Sequence, residues 1–213
     1  MAVSPSPTVF VIDDDAPVRD ALSRLLRAHR FAVAAFASPK EFLEHYDPDT
    51  PGCLVLDLKM RGNGFGLQRT LREKGSSPPI IFLTGHGDVP KSVQALKGGA
   101  VDFLTKPVND EDLLAAVRVA IEKDHTLRLK QTEVSEIRAR LSTLTPRERE
   151  VLELVVAGKL NKQIAGDLGI VEQTVKAHRA QVMEKMRARS VVELVRFVER
   201  CGIGEKHSLS KRS

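Results

Sequence analysis

The sequence predicts an α/β protein built from a five-stranded, doubly wound parallel sheet, followed by a small all-α domain. The first observation is that short apolar runs and amphipathic segments alternate five times before Lys123, as they do when helices join parallel strands. The second is that the central run, Cys53–Leu56, contains no charged residue, which is typical of a strand buried on both faces. The third is that only helical signals follow Lys123.

Five strands and five helices are expected along the first part of the chain. Short apolar runs place the strands at Thr8–Ile12, Phe31–Phe36, a central strand ending at Asp57, Ile80–Leu83 and Val101–Leu104. Apolar residues at helical spacing place the helices at Pro17–His29, through Phe42 and Leu43, through Leu67 and Leu71, at Val89–Leu96 and at Asp110–Ile121. Asp15 is expected to cap the first helix, and Ser38 and Glu41 have the spacing of a capping box at the second.

Helical signals continue in the second part of the chain. Apolar residues spaced along residues 125–143 predict a helical linker, which either pairs with a second copy of the chain or is a solvated, charged helix. Thr145, Pro146 and Glu148 then provide a strong helix start with a capping box. The helices that follow are expected at Pro146–Ala157, Lys162–Leu168, Glu172–Met186 and Val191–Cys201. Residues 169–171 join the middle two, and this is the connection length of a helix-turn-helix.

The composition is that of an ordinary globular protein, with 42% hydrophobic and 29% charged residues in a chain of 213. No apolar run approaches the roughly 18 residues of a membrane span, and the opening residues MAVSPSPT lack the pattern of a secretory signal. The two cysteines, Cys53 and Cys201, indicate neither a disulfide framework nor a metal site. We therefore expect a cytoplasmic protein without a membrane partner, with short disordered segments at residues 1–7 and 204–213.

The net charge of +5 is unevenly distributed. Through Asp124 the chain has 15 Lys and Arg against 17 Asp and Glu, whereas from His125 onward it has 18 against 11. A basic second part suits nucleic acid or an anionic membrane surface, and charge alone does not distinguish between them. The two parts of the chain are therefore expected to have different partners.

Polar residues stand where four of the predicted strands end. Asp13 and Asp14 follow the first strand, Asp57 ends the central one, Thr84 follows the next and Lys106 lies just beyond the last. The carboxyl ends of parallel strands meet at one edge of the sheet, where ligands bind. Clustered carboxylates repel one another unless a cation lies among them, and Mg²⁺ accepts such ligands together with a phosphate oxygen. With Thr84 and Lys106 to hold a phosphoryl group, Asp57 would be a nucleophile that forms an aspartyl phosphate.

Plainer interpretations compete with this one. Asp57, taken alone, is explained as easily by a turn or a helix cap, and Lys106 by an ion pair with an aspartate across the sheet. His86 is interpreted as a structural loop residue rather than as a base. An enzyme alternative is a Mg²⁺-dependent phosphohydrolase with an aspartyl nucleophile. The sequence contains no P-loop, G-x-S-x-G or H-E-x-x-H signature.

Four motifs, VFVIDDDAPVR, VLDLKM, LTGHGD and GAVDFLTKP, resemble in their order and spacing the receiver domain of bacterial two-component response regulators. The resemblance covers Thr8 to Lys123, and we expect the receiver at residues 8–124. It implies that Asp57 accepts a phosphoryl group from a sensor histidine kinase. It also implies Mg²⁺ bound by Asp14, Asp57 and the backbone carbonyl of Lys59 with Asp13 acting through water, a switch pair of Thr84 and Phe103, and a cis peptide bond between Lys106 and Pro107.

The chain departs from the receiver pattern after Asp57. Receivers of this type continue with Met-Pro and a glycine-containing loop that is one residue longer, whereas here Met60 is followed by RGNGFG. Three glycines and no proline give this loop more backbone freedom. We therefore expect an altered metal affinity or phosphate lifetime, in a direction that the sequence does not specify.

The segment LTPREREVLELVVAGKLNKQIAGDLGIVEQTVKAHRAQVMEKM resembles the LuxR-type helix-turn-helix, and the whole chain resembles a FixJ-type response regulator. We expect this domain at residues 144–203, with basic side chains on one face of the helix Glu172–Met186. A solvated amphipathic helix is the plainer alternative. The resemblance implies two groups of DNA contacts: base edges at Lys176 and Ala177 with Arg179 close by, and the DNA backbone at Thr174 and Lys185.

The combined interpretation is a DNA-binding transcriptional regulator, not an enzyme, in which phosphorylation of Asp57 controls dimerisation and promoter binding. Its expected partners are a sensor histidine kinase, double-stranded promoter DNA, RNA polymerase and a second copy of the chain. The last helix has more apolar residues than a small domain buries, which adds to the expectation of a dimer contact. The main alternative is a phosphorylation-independent DNA-binding regulator with a degenerate receiver, which the shortened loop favours.

Overall fold

A computed structural model describes residues 6–60, 64–85 and 100–202 of the chain. The chain divides into two compact units, Met1–Arg128 and Leu129–Ser213, and each has its own buried core. The predicted helix Val89–Leu96 and most of the predicted disordered ends lie outside the described residues. No helix in the described part of the chain has both the length and the apolar character of a membrane span.

The first unit contains a five-stranded parallel sheet with the strand order β2-β1-β3-β4-β5. Its strands are β1 (Thr8–Ile12), β2 (Ala32–Phe36), β3 (Gly52–Asp57), β4 (Ile80–Thr84) and β5 (Asp102–Thr105). The helices described around it are α1 (Ala16–Ala28), α2 (Pro39–His45), α3 (Gly64–Glu73) and α4 (Asp110–Ser142). The predicted sheet is therefore confirmed, and each strand end lies within one residue of its predicted position.

Both faces of the sheet are covered by apolar side chains. β3 and β4 are buried along their whole length, and for this reason their sequences are continuous apolar runs. On β3, Cys53 and Val55 pack on the side of α1 and α4, whereas Leu54 and Leu56 pack on the side of α2 and α3. This double burial leaves the carboxyl edge of the sheet as the place where polar side chains collect.

The helices of the first unit begin at the predicted capping residues. Asp15 accepts a hydrogen bond from the Val18 N–H at 3.3 Å and caps α1. Ser38 accepts from the Glu41 N–H at 3.2 Å and caps α2. The Glu41 carboxylate accepts from the N–H one residue before the cap, at 2.7 Å. Local capping chemistry therefore sets where these helices start.

A buried carboxylate anchors the start of β3 to α4. Asp124 Oδ2 accepts from the Gly52 N–H at 2.9 Å and from Arg128 Nε at 2.8 Å. Arg128 Nη2 also donates to the Thr50 carbonyl at 2.7 Å. Gly52 has a φ of 148°, and a Cβ there would lie 1.8 Å from the Thr8 carbonyl oxygen. Only glycine therefore allows β3 to lie this close to β1.

The helix α4 is a single helix, so the predicted helix Asp110–Ile121 and the predicted linker 125–143 are continuous. Apolar residues near its start belong to the core of the first unit. Near its end, Ile137 and Leu141 are buried in the core of the second unit. The linker was expected to pair with a second copy or to be solvated, but its last turns instead complete the core of the small domain.

The second unit is all-α beyond the end of α4. Its helices are α5 (Pro146–Val156), α6 (Asn161–Leu168), α7 (Glu172–Met186) and α8 (Val191–Arg200). Thr145 and Glu148 form the predicted capping box of α5, and Ser190 caps α8. Gly169 has a φ of 64°, which lets the chain turn between α6 and α7. The helix-turn-helix is therefore confirmed, with helix ends within one residue of the predicted positions.

Candidate functional site

Three charged side chains meet where β1, β3 and β5 end. Lys106 Nζ lies 2.7 Å from Asp13 Oδ2 and 3.2 Å from Asp57 Oδ2. The register of β1 and β3 places Ile12 opposite Leu56, so the residues that follow these two stand side by side. The convergence predicted for this edge of the sheet is therefore present in the structure. The Lys106–Pro107 peptide bond is cis, as the resemblance implies.

Backbone N–H groups orient the two buried carboxylates. Asp13 Oδ1 accepts from the Asp15 N–H at 2.9 Å, and Asp57 Oδ1 accepts from the Lys59 N–H at 3.2 Å. Arg19 Nη1 donates to the carbonyl oxygen of Asp13 at 2.6 Å. With one oxygen of each carboxylate held in this way, the other oxygen of each faces the shared lysine.

Burial and charge have opposite effects on the titration of this cluster. Burial raises the pKa of Asp13, and the hydrogen bonds from Lys106 and from the Asp15 N–H oppose the rise only in part. Burial alone would lower the pKa of Lys106, but the hydrogen bond and charge of Asp13, together with the charge of Asp57, outweigh burial and raise that pKa. Lys106 therefore remains a cation at neutral pH, as a group that holds an anion must.

A third carboxylate, that of Asp14, completes the cluster. One carboxylate oxygen from each of Asp13, Asp14 and Asp57 lies within 4.8 Å of the others. Asp13 and Asp57 are buried whereas Asp14 is exposed, so the cluster is reached from solvent on one side. Mg²⁺ prefers oxygen ligands, keeps several of its waters and takes only one or two carboxylates from a protein. The residues present therefore fit this ion.

The predicted switch residues lie on the neighbouring strands. Thr84 ends β4, its side chain is buried, and its Oγ1 donates to the Gly85 carbonyl at 3.2 Å. Phe103 lies on β5 opposite Phe82, and the two rings stack with centroids 5.2 Å apart. Thr84 therefore lies one strand away from Asp57, and Phe103 lies two strands away.

The shortened loop after Met60 is described only at its two ends. Residues 61–63 and His86 lie outside the described residues. Met60 is buried, and a Cβ on Gly64, the first residue of α3, would lie 3.0 Å from the Asp57 carbonyl oxygen. Because both ends of the loop are packed beside the site, its length is expected to affect Asp57.

The helix α7 has the predicted apolar side, but its predicted basic residues do not share one face. With 3.6 residues per turn, the nine residues from Lys176 to Lys185 place these two lysines on opposite flanks of the helix. Val175, Val182 and Met186 are buried in the core of the second unit, whereas Lys176 and Ala177 are exposed. The other predicted DNA-contacting residues are partly exposed: Thr174, Arg179 and Lys185. The second helix of a helix-turn-helix is the one that enters the major groove of DNA.

Each cation that we predict to contact DNA from α7 has a polar partner. Lys176 Nζ lies 3.7 Å from a carboxylate oxygen of Glu172 one turn earlier in α7. Arg179 Nη1 donates to the carboxamide oxygen of Asn161 at 2.5 Å, which joins α7 to α6. The third cation, Lys185, contacts a buried carboxylate at the start of α5, at 2.7 Å.

Comparison with known proteins matches both units. The response regulator receiver domain matches residues 9–118, and the luxR family of bacterial regulatory proteins matches residues 142–198. FixJ of Bradyrhizobium diazoefficiens is 42% identical over 196 residues, which cover 92% of this chain and 96% of that protein. The chain belongs to the FixJ-type two-component response regulators. It is therefore a two-component transcriptional regulator with a LuxR-type DNA-binding domain, and its family is not one of classical enzymes.

Other proteins are similar to this chain over most of its length. Nodulation protein W of Bradyrhizobium diazoefficiens is 46% identical to this response regulator over 201 residues, covering 94% of this chain and 88% of that protein. The solved structure of the response regulator StyR is 44% identical with a TM-score of 0.78, and the match covers 92% of this chain and 99% of that one. The similarity extends over both units.

We expect Glu148→Gln to destabilise the DNA-binding unit of this response regulator by about 1 kcal/mol at pH 7. Hydrogen bonds from Lys185 and from the Thr145 N–H keep the pKa of Glu148 below its ordinary value of 4.5, and burial opposes them only in part. A carboxyl whose pKa is lowered by folding stabilises the fold above its unfolded pKa, and this contribution is lost as the pH falls through the folded pKa.

Urea unfolding of residues 129–213, followed by the helical circular-dichroism signal, measures this effect. The difference between wild type and Glu148→Gln should be present at pH 7 and should shrink as the pH falls below 4.5. Glu153→Gln changes an exposed glutamate of the same helix and is the matched control. Equal stability of wild type and Glu148→Gln at pH 7 would contradict this account of the ion pair.

Sequence reasoning missed several partners of the functional residues in this response regulator. No pattern in the sequence indicates the contact between Asn161 and Arg179, which are 18 residues apart. Glu148 was recognised as a capping residue but not as the partner of Lys185, from which it is separated by 37 residues. For Asp124, the helical spacing to Arg128 is the one signal that could have indicated an ion pair.

Proposed function

We propose that a sensor histidine kinase phosphorylates Asp57 and that this phosphorylation controls dimerisation and promoter binding. The observation that carries the proposal is the position of Asp57 Oδ2, 3.2 Å from Lys106 Nζ and within a cluster of carboxylates that is open to solvent through Asp14. Catalysis of phosphoryl transfer consists mainly of positioning and charge neutralisation. The Asp57 carboxylate is a positioned nucleophile, and the Lys106 ammonium beside it provides the charge neutralisation.

In the proposed transfer, a carboxylate oxygen of Asp57 attacks phosphorus. The new P–O bond forms while the P–N bond to the kinase histidine breaks, and the histidine nitrogen retains the electron pair. Lys106, already within 3.2 Å of the nucleophile, binds a phosphoryl oxygen and offsets its charge. The chain thus assists its own phosphorylation without turning over a separate substrate.

Mg²⁺ is the cofactor that we propose for this transfer. Its ligands would be Asp14, Asp57 and the backbone carbonyl of Lys59, with Asp13 acting through water. When bound, the ion supplies charge neutralisation for the phosphoryl group. Hydrogen bonds within the protein support this role, because the backbone N–H groups of residues 15 and 59 orient the carboxylates of Asp13 and Asp57.

Thr84 and Phe103 would transmit the change from the phosphorylated site to the surface. The Thr84 hydroxyl turns towards the phosphoryl oxygens, and the Phe103 ring moves inward into the space that Thr84 vacates. These movements shift the equilibrium between two arrangements of the receiver surface. The arrangement that phosphorylation stabilises favours dimerisation or release of the DNA-binding unit. The two residues lie on neighbouring strands, with Phe103 opposite Phe82, two residues before Thr84, and this proximity supports the role.

A homodimer on promoter DNA is the output that we propose. On α8, Val191 and Val192 are 37% and 62% exposed, so the apolar face exceeds what the small core buries. A dimer formed partly through this face can hold two half-sites, which raises the apparent affinity without new base contacts. RNA polymerase is then the proposed partner at the promoter.

In the proposed DNA complex, Lys176 and Ala177 contact base edges, whereas Thr174 and Lys185 contact the backbone. Lys176→Ala should relax base preference and weaken specific binding by about 1 to 3 kcal/mol. The measurement is selection of sites from a randomised DNA pool, followed by affinity measurements. Lys159→Ala, which removes a lysine paired with Asp167, is the control with unchanged preference. An unchanged base preference in Lys176→Ala would show that α7 is not the recognition helix.

The shortened loop favours a second candidate, a DNA-binding regulator whose receiver does not take phosphate. Acetyl phosphate and a phosphate-trapping gel separate the two, because only a phosphorylated chain is retarded. The three carboxylates and Lys106 at the carboxyl edge of the sheet support the first candidate, in which the receiver is phosphorylated.

If the receiver is phosphorylated, inserting one proline after Met60 restores the length and the Met-Pro of the receiver pattern. It should change the rate of autodephosphorylation, because it restricts a loop packed beside Asp57. The rate is measured as the loss of the retarded band over time, in wild type and in the insertion variant. An insertion that merely extends the glycine-rich loop without proline is the control. Equal rates in wild type and in the proline variant would contradict a role for this loop.

A further inference from the structure

Arg179 differs from the other cations of the proposed DNA-binding set in its partner. Lys176 and Lys185 each lie within ion-pair distance of a glutamate, at 3.7 Å and 2.7 Å. Arg179 instead donates to the neutral carboxamide of Asn161 at 2.5 Å. Across the three described ranges of the chain, no carboxylate forms an ion pair with Arg179. Its positive charge is therefore not neutralised there.

Asn161 is placed to orient Arg179 without removing its charge. Asn161 is the first residue of α6, Arg179 lies within α7, and both are partly exposed, so their contact joins the two helices of the motif at its surface. The carboxamide oxygen accepts from Nη1 only, which leaves the other N–H groups of the guanidinium available. An oriented, uncompensated guanidinium is suited to bind an anion, since its planar fork matches phosphate.

We propose that Asn161 is a positioning residue that holds Arg179 against a phosphate of the DNA backbone. In a helix-turn-helix the first helix crosses the backbone, whereas the second reads base edges. A guanidinium tied to the first residue of α6 is therefore directed to the backbone rather than to the bases contacted from Lys176 and Ala177. This assignment rests on the proposed function, because it takes duplex DNA as the ligand.

The salt dependence of DNA affinity tests the proposal. The full chain, treated with acetyl phosphate and Mg²⁺, is titrated with a mixed-sequence duplex at several salt concentrations. Asn161→Asp keeps the shape of the side chain but adds a carboxylate that neutralises Arg179 in place. The slope of log affinity against log salt should therefore fall in magnitude by about 0.9 per bound protomer, as for the loss of one phosphate contact.

The melting temperature distinguishes a positioning role of Asn161 from a merely structural role. An acidic residue in the first turn of a helix is favourable, so Asn161→Asp should keep or raise the melting temperature of the chain while its DNA affinity falls. Gln163→Glu adds the same charge in the same turn, at a side chain that accepts from the Leu160 N–H, whereas Arg179 donates to Asn161, and it should keep the wild-type salt slope. If Asn161 only stabilised the fold, affinity and melting temperature would change together.

Arg179→Ala completes the comparison. It should reduce the salt slope by the same amount, weaken all sequences equally, and leave no further effect for Asn161→Asp to produce in the double variant. An unchanged slope in Asn161→Asp, or a changed preference at one base pair in Arg179→Ala, would overturn the assignment. A wild type that binds no duplex would overturn the proposed function as well, whereas the two former results leave the proposed function intact.

Discussion

Asp57→Asn should abolish phosphorylation and, with it, every phosphoryl-dependent change in dimerisation and DNA affinity. The amide is a poor nucleophile, and no other carboxylate of the described residues lies as close to Lys106 except the fully buried Asp13. After incubation with acetyl phosphate and Mg²⁺, the variant should show no retarded band on a phosphate-trapping gel. Its sedimentation should be the same with and without the phosphoryl donor.

The effect should not come from unfolding. The amide of Asp57→Asn has the shape of the carboxylate and can still accept from the Lys59 N–H, and one fewer negative charge lowers the repulsion within the cluster. The melting temperature should therefore be at least that of the wild type. Asp20→Asn, at an exposed position of α1, is the matched control with normal phosphorylation. Undiminished dimerisation of Asp57→Asn with the phosphoryl donor would contradict the proposal.

Lys106→Met should slow phosphorylation of Asp57 by about 100-fold. The variant removes the cation that lies 2.7 Å from Asp13 and 3.2 Å from Asp57, while it keeps an apolar stem of similar length. The phosphoryl oxygens then lose a charge partner at the moment of transfer, and the buried carboxylates lose the cation between them. The rate is measured as the growth of the retarded band at a fixed acetyl phosphate concentration.

A lysine far from the site supplies the control for Lys106→Met. Lys40→Met removes a highly exposed lysine of α2 and should leave the rate unchanged. Since Lys106→Met also weakens contacts of a buried aspartate, both variants are compared at a temperature where circular dichroism shows them folded. A wild-type rate in folded Lys106→Met would mean that the lysine has only a structural role.

The sheet and the charged rim could be predicted because their signals are local. β3 and β4 are buried on both faces, so their residues form continuous apolar runs that end in polar residues. Parallel strands bring their carboxyl ends to one edge, and this rule alone places Asp13, Asp57 and Lys106 together although 93 residues separate the first from the last. Capping residues such as Asp15 and Thr145 likewise act within one helical turn.

The remaining contacts could not be predicted because they join distant residues without any periodic pattern. The Gly52 N–H and the Asp124 carboxylate that accepts from it are 72 residues apart. The spacing of Ile137 and Leu141 predicts a helix but does not reveal what these residues pack against, and they lie in the core of the DNA-binding unit. Such partners follow from tertiary packing, which local patterns do not encode.

The DNA affinity of the full chain with and without phosphorylation tests most directly whether Asp57 controls the DNA-binding unit. A duplex selected from a randomised pool is titrated with the wild type and with Asp57→Asn, each with and without acetyl phosphate and Mg²⁺. Phosphorylation should tighten binding of the wild type by roughly 5-fold to 150-fold and leave the affinity of Asp57→Asn unchanged. Equal affinity of the phosphorylated and unphosphorylated wild type would contradict the central claim that the rim at Asp57 controls the DNA-binding unit.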